Sequence, residues 1–305
     1  MPRFLVTGAF GCIGAWVVHE LVRDGRDVVS YDLATEPRRL RLLLGDEADA
    51  VPHVAGAITD LAALDAVVER HGVTNVIHLA ALQVPFVRAD PPLGARVNVV
   101  GTTNVFEVAT RHGLAPVVYA SSIAALVGDA GTVGTPSTLY GVFKRANEGT
   151  AQVYLAESGI PSVGLRPHTV YGVGRDQGLT SAPTTAMLAA AAGVPYRIPF
   201  GGACQMQLAR DVARAFVAAS DAGATGAAVH NLPGPAVRIA DVVAAIDADG
   251  IAFDETPLPF PAESDATSFG ALVPGFEPTP LADGVRETVD AFRALLARGL
   301  VEAPA

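Results

Sequence analysis

The sequence predicts an α/β fold: a doubly wound parallel β-sheet covered by helices on both faces, followed by a smaller C-terminal lobe. Three observations support this fold class. Short β-branched runs alternate with segments of helical periodicity, a glycine-rich turn directly follows the first run, and the alternation loosens after about residue 170. Alternating β and α elements form right-handed βαβ units, and such units build a parallel sheet.

The individual elements follow from periodicity. Apolar runs bounded by turn residues predict strands at 4–6, 28–31, 76–79, 117–120 and 162–165. Apolar residues three and four positions apart predict helices at 15–23, 61–70, 94–111 and 281–300. Residues 1–170 are therefore predicted to form the sheet-containing domain. Residues 171–305 are predicted to form mainly the smaller lobe, with some segments returning to the first domain.

Composition excludes several classes of protein. Half of the 305 residues are hydrophobic and 17% are charged, so the chain can bury a large core. The formal net charge of −10 argues against a nucleic-acid partner, because such binding needs Lys and Arg to neutralise phosphates. Two cysteines, Cys12 and Cys204, form no disulfide framework and have no metal-ligand spacing around them. This pattern is typical of a cytoplasmic protein without a bound metal.

No segment is predicted to enter a membrane. The apolar run before the first glycine is too short for the core of a signal peptide, and the apolar stretch 186–194 suits a buried helix better than a membrane span. We therefore expect a cytoplasmic protein whose partner is a small-molecule substrate, with no nucleic acid and no membrane bound.

The stretch VTGAFGCIG at residues 6–14 places Gly8, Gly11 and Gly14 between a strand and a helix. A dinucleotide-binding turn needs this pattern. The first glycine permits a tight turn, the second lets the backbone approach a pyrophosphate, and the third lets the helix pack closely on the sheet. The helix N-terminus then offers free N–H groups to the phosphates. A glycine corner without a ligand is the alternative that these residues alone leave open.

Asp32 ends the second predicted strand, eighteen residues after Gly14. A carboxylate at this position can accept hydrogen bonds from the ribose hydroxyls and would repel a 2′-phosphate, so it favours NAD over NADP. The alternative is that Asp32 only caps the next turn. Three nearby arginines keep NADP binding possible: Arg38, Arg39 and Arg41.

A second pattern, YGVFK at residues 140–144, places Tyr140 and Lys144 on one face of a predicted helix, because positions i and i+4 lie side by side. The ammonium of Lys144 is expected to favour the phenolate and so to lower the pKa of Tyr140. Tyr140 could then act as a general acid or base near neutral pH. The pair alone is common on helices. Ser121 and Ser122, at the end of the preceding strand, make it a specific candidate for a catalytic site.

With these motifs in this order, the chain resembles the extended short-chain dehydrogenase/reductase family, which contains nucleotide-sugar epimerases and dehydratases. The resemblance rests on the glycine turn, on Asp32 and on further segments: NVIHLAA (75–81), NVVGTTNVFEVA (98–109), YASS (119–122), YGVFK (140–144) and LRPHTVYG (165–172). The later segments HNLPGPAVRIADVV and FEPTPLADGVRETV also match. The resemblance covers nearly the whole chain and implies a Rossmann-type fold that binds NAD and takes substrate in the smaller lobe.

The resemblance also implies site residues. Ser122 would hold the substrate oxygen, Tyr140 would transfer the proton, and Lys144 would also hold the nicotinamide ribose. Counting backward from Gly128 instead would place Ile123 at this position, so the loop has one extra residue and Ser121 is the alternative. Asn98 is implied to fix the local backbone rather than to contact substrate. Cofactor contacts are implied for the following residues: Gly8, Gly11, Cys12, Ile13, Gly14, Asp32, Leu33, Ile58, Leu79, Ala80, Ala81, Tyr140, Lys144 and Pro167.

The chain departs from the nucleotide-sugar members at several positions. Thr169 stands where they usually have Asn, CQM at residues 204–206 stands in place of an Arg-Asp-Phe run, and Ala57 replaces the usual adenine-contacting Asp. A diphosphate favours Arg or Asn contacts. We therefore expect a sugar, polyol or hydroxy acid as the substrate rather than a nucleotide sugar.

The stretch 172–187 is a candidate for the substrate pocket. Arg175, with Asp176 and Gln177, could form a polar pocket for hydroxyls or a single carboxylate. The alternative is a solvated loop with a helix cap at Thr180 or Ser181. Substrate contacts are expected from Gln83, Ser122, Thr169 and Arg175.

Three functions are compatible with these motifs. An NAD-dependent dehydrogenase or reductase that releases the coenzyme after each turnover is favoured. A nucleotide-sugar epimerase or dehydratase that retains NAD is the alternative, and a non-catalytic NAD-binding sensor, which would not need the Ser–Tyr–Lys set, is the second alternative. Members of the family commonly dimerise through the tyrosine-bearing helix. Since residues 97–110 and 140–154 offer apolar or small side chains on more than one face, a homodimer is expected.

Overall fold

Parallel strands dominate the structure. The computed structural model describes residues 2–126, 134, 136–258 and 261–304. Its strands are β1 Arg3–Thr7, β2 Asp27–Asp32, β3 His53–Ala55, β4 Asn75–His78, β5 Val117–Ala120, β6 Ser162–Arg166, β7 Thr169–Tyr171, β8 Tyr196–Ile198, β9 Ala203–Leu208, β10 Ala227–Asn231, β11 Ala236–Arg238 and β12 Ile251–Phe253. Seven of these strands form one parallel sheet in the order β10-β6-β5-β4-β1-β2-β3. The predicted Rossmann-type, doubly wound sheet is confirmed.

Helices connect and cover these strands. They are α1 Cys12–Arg23, α2 Arg38–Leu44, α3 Leu61–His71, α4 Val84–Ala89, α5 Pro91–Ala95, α6 Gly101–His112, α7 Leu139–Ser158, α8 Ala182–Ala192, α9 Ala209–Asp221, α10 Ile239–Ile246, α11 Thr267–Leu272 and α12 Leu281–Ala297. In the described part of the chain, none of them combines the length and apolar character that a membrane crossing requires.

Strand β1 shows why the sheet is buried on both faces. Its side chains alternate: Phe4 and Val6 pack in a cluster with Trp16 of α1, whereas Leu5 packs in a second cluster with Phe106 of α6. All three β1 side chains are at most 1% exposed. A strand buried on both faces requires a continuous apolar run rather than an alternating one, which is what the sequence has here.

The predicted helix at 94–111 forms, but a segment near its start is not α-helical. Arg96–Val100 is a π-helical segment between α5 and α6. The side-chain amide of Asn98 in this segment accepts a hydrogen bond from the backbone N–H of Leu82 (2.7 Å) and donates one to the backbone carbonyl of Leu82 (2.9 Å). The backbone carbonyl of Asn98 accepts a hydrogen bond from Asn147 Nδ2 (2.8 Å). Asn98 therefore fixes local backbone, as expected, and the wider π turn accommodates these bonds.

Segments from the second half of the chain contribute to both parts of the fold. β10 pairs with β6 at the edge of the main sheet, and α9 packs beside α1. β7, β9 and β11 form a separate three-stranded sheet, and β8 pairs with β12. The division into 1–170 and 171–305 stays a prediction, and the segments that return to the main sheet are β10 and α9.

The carboxyl ends of the parallel strands lie at one edge of the main sheet. Gly8 follows β1, Asp32 ends β2, Leu79 follows β4, and Ser121 follows β5. β1 lies between β2 and β4, so the strand order reverses there. Ligands of doubly wound sheets bind at the carboxyl ends of the strands beside such a reversal.

Candidate active site

A cleft of about 370 Å³ lies at this edge of the sheet. Many of the residues predicted from the sequence line it: Gly8, Gly11, Cys12, Asp32, Leu33, Ile58, Leu79, Ala80, Ala81, Gln83 and Arg175. Phe10, Arg39 and Asp176 also line the cleft. Residues that follow separate strands, together with the segment after β7, thus meet around one cavity.

The three glycines of the turn differ in how strictly their surroundings exclude a side chain. Gly8 has a φ of +69°, and a Cβ there would lie 2.6 Å from the backbone nitrogen of Ala80. A Cβ on Gly14 would lie 2.0 Å from the carbonyl oxygen of Gly8, so the first turn of α1 can pack there only without a side chain. These two glycines are needed for the turn itself, with or without a ligand. Gly11 is less crowded, since its Cβ would meet only the Gly8 carbonyl, at 3.2 Å.

The first turn of α1 is suited to an anion. Gly11 is the N-cap residue and provides no side-chain cap, so the N–H groups of the first turn, which includes Cys12 and Ile13, are available to phosphate oxygens. Burial raises the pKa of the Cys12 thiol to about 11, against the lowering influence of Arg175 and Arg39, so this thiol adds no negative charge to the cradle.

Asp32 both caps a turn and borders the cleft. Its Oδ1 accepts a hydrogen bond from the N–H of Ala34, and its Oδ2 accepts one from the N–H of Phe10, each at 2.9 Å. The capping alternative therefore describes part of its role. The two bonds fix the carboxylate, and each oxygen keeps a lone pair for a further donor. Leu33, 76% exposed, forms the rim beside it.

The three arginines that could attract a 2′-phosphate are all paired with carboxylates. Arg39 binds Asp176 through Nη2 (2.6 Å) and Nε (3.2 Å), and Arg38 lies 3.5 Å from the same carboxylate. Arg41 binds Glu36 and Asp49, each at 2.9 Å. The sequence alone gives no sign of the pairing between Arg39 and Asp176, because these residues lie 137 positions apart.

Ser122, Tyr140 and Lys144 meet at the end of β5. Tyr140 lies in the first turn of α7, which Thr138 caps by accepting a hydrogen bond from the N–H of Gly141 (3.1 Å). Ser122 acts on the Tyr140 hydroxyl as a hydrogen-bonding neighbour, and its influence lowers the pKa of that phenol. Lys144 Nζ lies 5.7 Å from the centre of the Tyr140 ring.

Lys144 and Ser121 donate their hydrogen bonds to groups other than the Tyr140 hydroxyl. Lys144 Nζ donates to the carbonyl oxygen of Ala120 at 2.7 Å. Ser121 donates its hydroxyl hydrogen to the carboxylate of Glu148 instead of facing Tyr140. Of the two serines considered, Ser122 has the position beside the phenol.

The expected lowering of the Tyr140 pKa is wrong for this structure. Burial raises the pKa of Tyr140 above its ordinary value, while the hydrogen bond from Ser122 and the charge of Arg175 act in the opposite direction. Lys144 is itself buried, and burial lowers its pKa to about 8, against the raising influence of Glu148. The physical reason is that water is excluded from both groups, so each charged form is penalised.

A polar network around Glu148 lies next to Lys144 on α7, and the sequence motifs did not predict it. Glu148 accepts hydrogen bonds from Arg166 Nε (2.7 Å) and Nη2 (2.6 Å), in addition to the bond from Ser121. Glu148 lies four residues after Lys144 and eight after Tyr140, so the helical period places all three on one face of α7. That spacing is the signal from which Glu148 could have been found.

The predicted substrate residues separate into two groups. Arg175 lies in the cleft wall, where Nη1 donates to Gln83 Oε1 (3.2 Å) and Nη2 donates to Thr180 Oγ1 (2.8 Å). Its Nε is buried without a hydrogen-bond partner. The segment is therefore more than a solvated loop, and Ser181, the N-cap residue of α8, makes no side-chain cap bond.

The residues that line the cleft do not include the following predicted site residues: Ile13, Gly14, Ser122, Tyr140, Lys144, Pro167 and Thr169. Thr169 is fully buried in β7, where its hydroxyl contacts His168 Nδ1 (3.2 Å) and the thiol of Cys204. Thr169 is thus occupied inside the smaller sheet rather than brought to the cleft. The carbonyl of Pro167 accepts a hydrogen bond from the N–H of Ile123 (3.1 Å), next to Ser122.

Comparison with known proteins identifies relatives of this chain. A model described as the NAD dependent epimerase/dehydratase family matches residues 4–232. The UDP-glucose 4-epimerase of Mycolicibacterium smegmatis is 33% identical over 183 residues, which are 57% of this chain and 58% of that protein. The chain thus matches little more than half the length of such curated relatives.

Solved structures resemble the chain over most of its length. The UDP-glucose 4-epimerase of Thermus thermophilus, in complex with NAD, is 25% identical with a TM-score of 0.80 and covers 95% of this chain and 99% of its own. The holo form of an L-threonine dehydrogenase from Cupriavidus necator is 26% identical with a TM-score of 0.80 and covers 94% and 99%. Proteins of this fold and this degree of similarity thus carry out different reactions.

Proposed function

Because the chain belongs to the NAD-dependent epimerase/dehydratase family, we propose that it is a dehydrogenase or reductase acting on a hydroxyl or carbonyl group of a sugar, polyol or hydroxy acid. NAD, the family's cofactor, fits the cleft. The uncapped first turn of α1 suits its pyrophosphate, and the fixed carboxylate of Asp32 suits the hydroxyls of the adenosine ribose. When bound, NAD supplies the acceptor for the hydride.

The observation that carries the proposal is that two groups are near Tyr140: Ser122, which lowers the pKa of the phenol as a hydrogen-bonding neighbour, and Lys144, whose Nζ lies 5.7 Å from the centre of the ring. In the oxidation direction, the Tyr140 phenolate takes the proton of the substrate hydroxyl, and Ser122 donates a hydrogen bond to the same oxygen. Lys144 provides a positive charge behind the ring and, in the cofactor complex, a donor to the nicotinamide ribose. A protein that only sensed NAD would need the cofactor cradle and none of these three groups.

Arg175 supports a polar or anionic small substrate. Its charge acts on the Tyr140 hydroxyl, and its Nε has no partner. Asp176, the adjacent acid, pairs with Arg39 instead and leaves the charge of Arg175 uncompensated by its neighbour. A carboxylate or several hydroxyls of a substrate would satisfy this guanidinium.

A nucleotide-sugar epimerase that retains NAD is the second candidate, favoured by the 33% identity to the mycobacterial UDP-glucose 4-epimerase. Retention of the coenzyme distinguishes the two reactions. The purified protein should be denatured and the supernatant assayed for released NAD. A dehydrogenase should release little, whereas NAD in a one-to-one ratio to protein would favour the epimerase and overturn the dehydrogenase proposal.

Substitution of Tyr140 tests the chemistry. With a substrate found among sugars, polyols and hydroxy acids, Tyr140→Phe should lower kcat by about 10³-fold or more, because only the proton-transferring oxygen is removed. The affinity for NAD should change little. Tyr154→Phe is the matched control on the same helix, since that hydroxyl binds Glu107 away from the cleft. A Tyr140→Phe protein that kept most of its activity would rule out Tyr140 as the acid–base group.

We propose that the protein is a homodimer. α4, α5 and α6 pack beside α7, and their outer surface exposes large apolar side chains: Phe86, Val100, Leu139, Val142 and Val153, each between 42% and 51% exposed. Exposed apolar side chains on elements that pack together suit burial against a second copy. The cytoplasmic location stays a prediction.

A further inference from the structure

The cofactor cleft is bridged by an ion pair between its two walls. Arg39 comes from α2, next to the adenosine side of the cleft, and Asp176 comes from the segment after β7. The guanidinium makes two short contacts with the carboxylate, Nη2 to Oδ1 at 2.6 Å and Nε to Oδ2 at 3.2 Å. Only 19% of the Arg39 side chain is exposed, against 39% of the Asp176 side chain, so water screens this pair less than a pair that is exposed on both sides.

Arg39 is also tied to the residue that positions Asp32. Its Nη1 donates to the carbonyl oxygen of Phe10 at 3.0 Å, and the N–H of Phe10 donates to Asp32 Oδ2 at 2.9 Å. The cation and the carboxylate that faces the ribose are therefore attached to the backbone of one residue of the glycine turn. A phosphate on the ribose 2′-oxygen would enter the neighbourhood of both groups.

We propose that Asp176 is a cofactor-selecting residue, which disfavours NADP by holding the Arg39 guanidinium away from the 2′-phosphate. Selection for NAD then depends on two carboxylates with different actions. Asp32 acts directly on the ribose, whereas Asp176 acts through Arg39. Arginine is the side chain best suited to bind a phosphate through two parallel N–H groups, so an unpaired Arg39 would weaken the discrimination that Asp32 provides.

A purely structural role of Asp176 predicts a different result. If the ion pair only fastened the segment 172–181 to α2, its loss would weaken the binding of every dinucleotide by the same factor. The selecting role changes the ratio of the two affinities. This inference rests on the NAD site and not on the reaction proposed above, because its readout is binding.

The test compares Asp176→Asn with the wild type by calorimetric titration with NAD and NADP. A second pair of ligands, 5′-AMP and adenosine 2′,5′-bisphosphate, isolates the 2′-phosphate from the rest of the cofactor. Asp176→Asn should narrow the preference for the ligand without a 2′-phosphate about tenfold in both pairs, the effect of one charge-assisted hydrogen bond. The change should come mainly from tighter binding of the 2′-phosphorylated ligand.

Two further variants make the result decisive. Asp176→Asn combined with Arg39→Met should restore the wild-type preference, since the released cation is then absent. Asp254→Asn removes a carboxylate that is paired with Arg197 at 3.3 Å elsewhere on the surface, and it should leave the affinities for all four ligands unchanged. An unchanged preference in Asp176→Asn, or equal weakening of all four ligands, overturns the proposal. So does a narrowed preference that persists in the double variant, because Arg39 would then not be the cation involved.

Discussion

Replacing Lys144 with methionine should abolish a pH dependence of folding stability that the wild-type protein shows in mild alkali. Lys144 is only 4% exposed. Burial lowers its pKa from 10.5 to about 8, and the charge of Glu148 opposes this shift. Between these two pH values the unfolded chain holds the lysine proton more tightly than the folded protein does. The free energy of unfolding of the wild type therefore rises with pH through this window.

The size of this effect follows from the two pKa values. The full shift corresponds to about 3 kcal/mol, of which about 2 kcal/mol is recovered between pH 7 and pH 9.5. Lys144 is the only lysine in the sequence, so no other side-chain amine titrates in this range. Methionine has a similar length and no charge, so the variant has no such gain.

Urea unfolding of wild type and Lys144→Met, without added NAD, should be measured at several pH values between 7 and 9.5. The difference between their unfolding free energies should change by about 2 kcal/mol in favour of the wild type. Tyrosine and cysteine titrations are common to both proteins and cancel. Arg145→Met is the control, because it removes the neighbouring positive charge without removing a group that titrates here. Parallel curves for wild type and Lys144→Met would refute the burial argument.

Three further predictions follow from the same structure. Asp32→Ala should bring the affinities for NAD and NADP closer together in titrations, and an unchanged ratio of affinities would contradict the ribose role. In urea unfolding the same variant should lose about 2 kcal/mol of unfolding free energy, because two backbone N–H groups lose their acceptor. Glu148→Gln should lower the unfolding free energy by about 3 kcal/mol, because the buried guanidinium of Arg166 keeps its charge and loses its partner; a cost below about 1 kcal/mol would show that the pair is hydrated. Light scattering at micromolar concentration should give a dimer mass for the wild type and a monomer mass for Val153→Arg, and a monomeric wild type would exclude the proposed interface.

The first part of the fold could be predicted because its signals are local. The continuous apolar run of β1, the glycine spacing and the position of Asp32 each report on a few neighbouring residues, and the structure places them as the pattern requires. The steric need for Gly14 is also local, since it arises from the carbonyl of Gly8 six residues earlier.

The rest of the site depends on contacts between distant segments. The pairing of Arg39 with Asp176 joins α2 to the segment after β7, and no periodicity relates the two. Thr169 was expected at the cleft because it stands where the nucleotide-sugar members usually have Asn, but its side chain is buried in the smaller sheet next to Cys204 of β9. The π-helical segment around Asn98 likewise depends on Asn147 of α7, which holds its carbonyl.

The pKa of Tyr140 was misjudged because distance along a helix says nothing about solvent. Lys144 lies at the expected position beside the ring, but its ammonium points to the Ala120 carbonyl and is itself penalised by burial. The influences that lower the pKa of Tyr140 come instead from two other segments: Ser122 acts as a hydrogen-bonding neighbour, and Arg175 acts through its charge. A sequence motif gives the neighbours of a group on its own helix, whereas its pKa depends on every element packed against it.

One face of α7 therefore links the stability of the protein to its proposed chemistry. Tyr140, Lys144 and Glu148 follow each other at intervals of four residues along α7, and Lys144 and Glu148 are buried. A buried lysine with a pKa of about 8 reduces the stability of the free protein at pH 7, and Glu148 limits that loss by favouring the ammonium. Glu148 in turn is held by Arg166. The Glu148 carboxylate thus favours the charged form of Lys144, whose ammonium lies 5.7 Å from the centre of the Tyr140 ring.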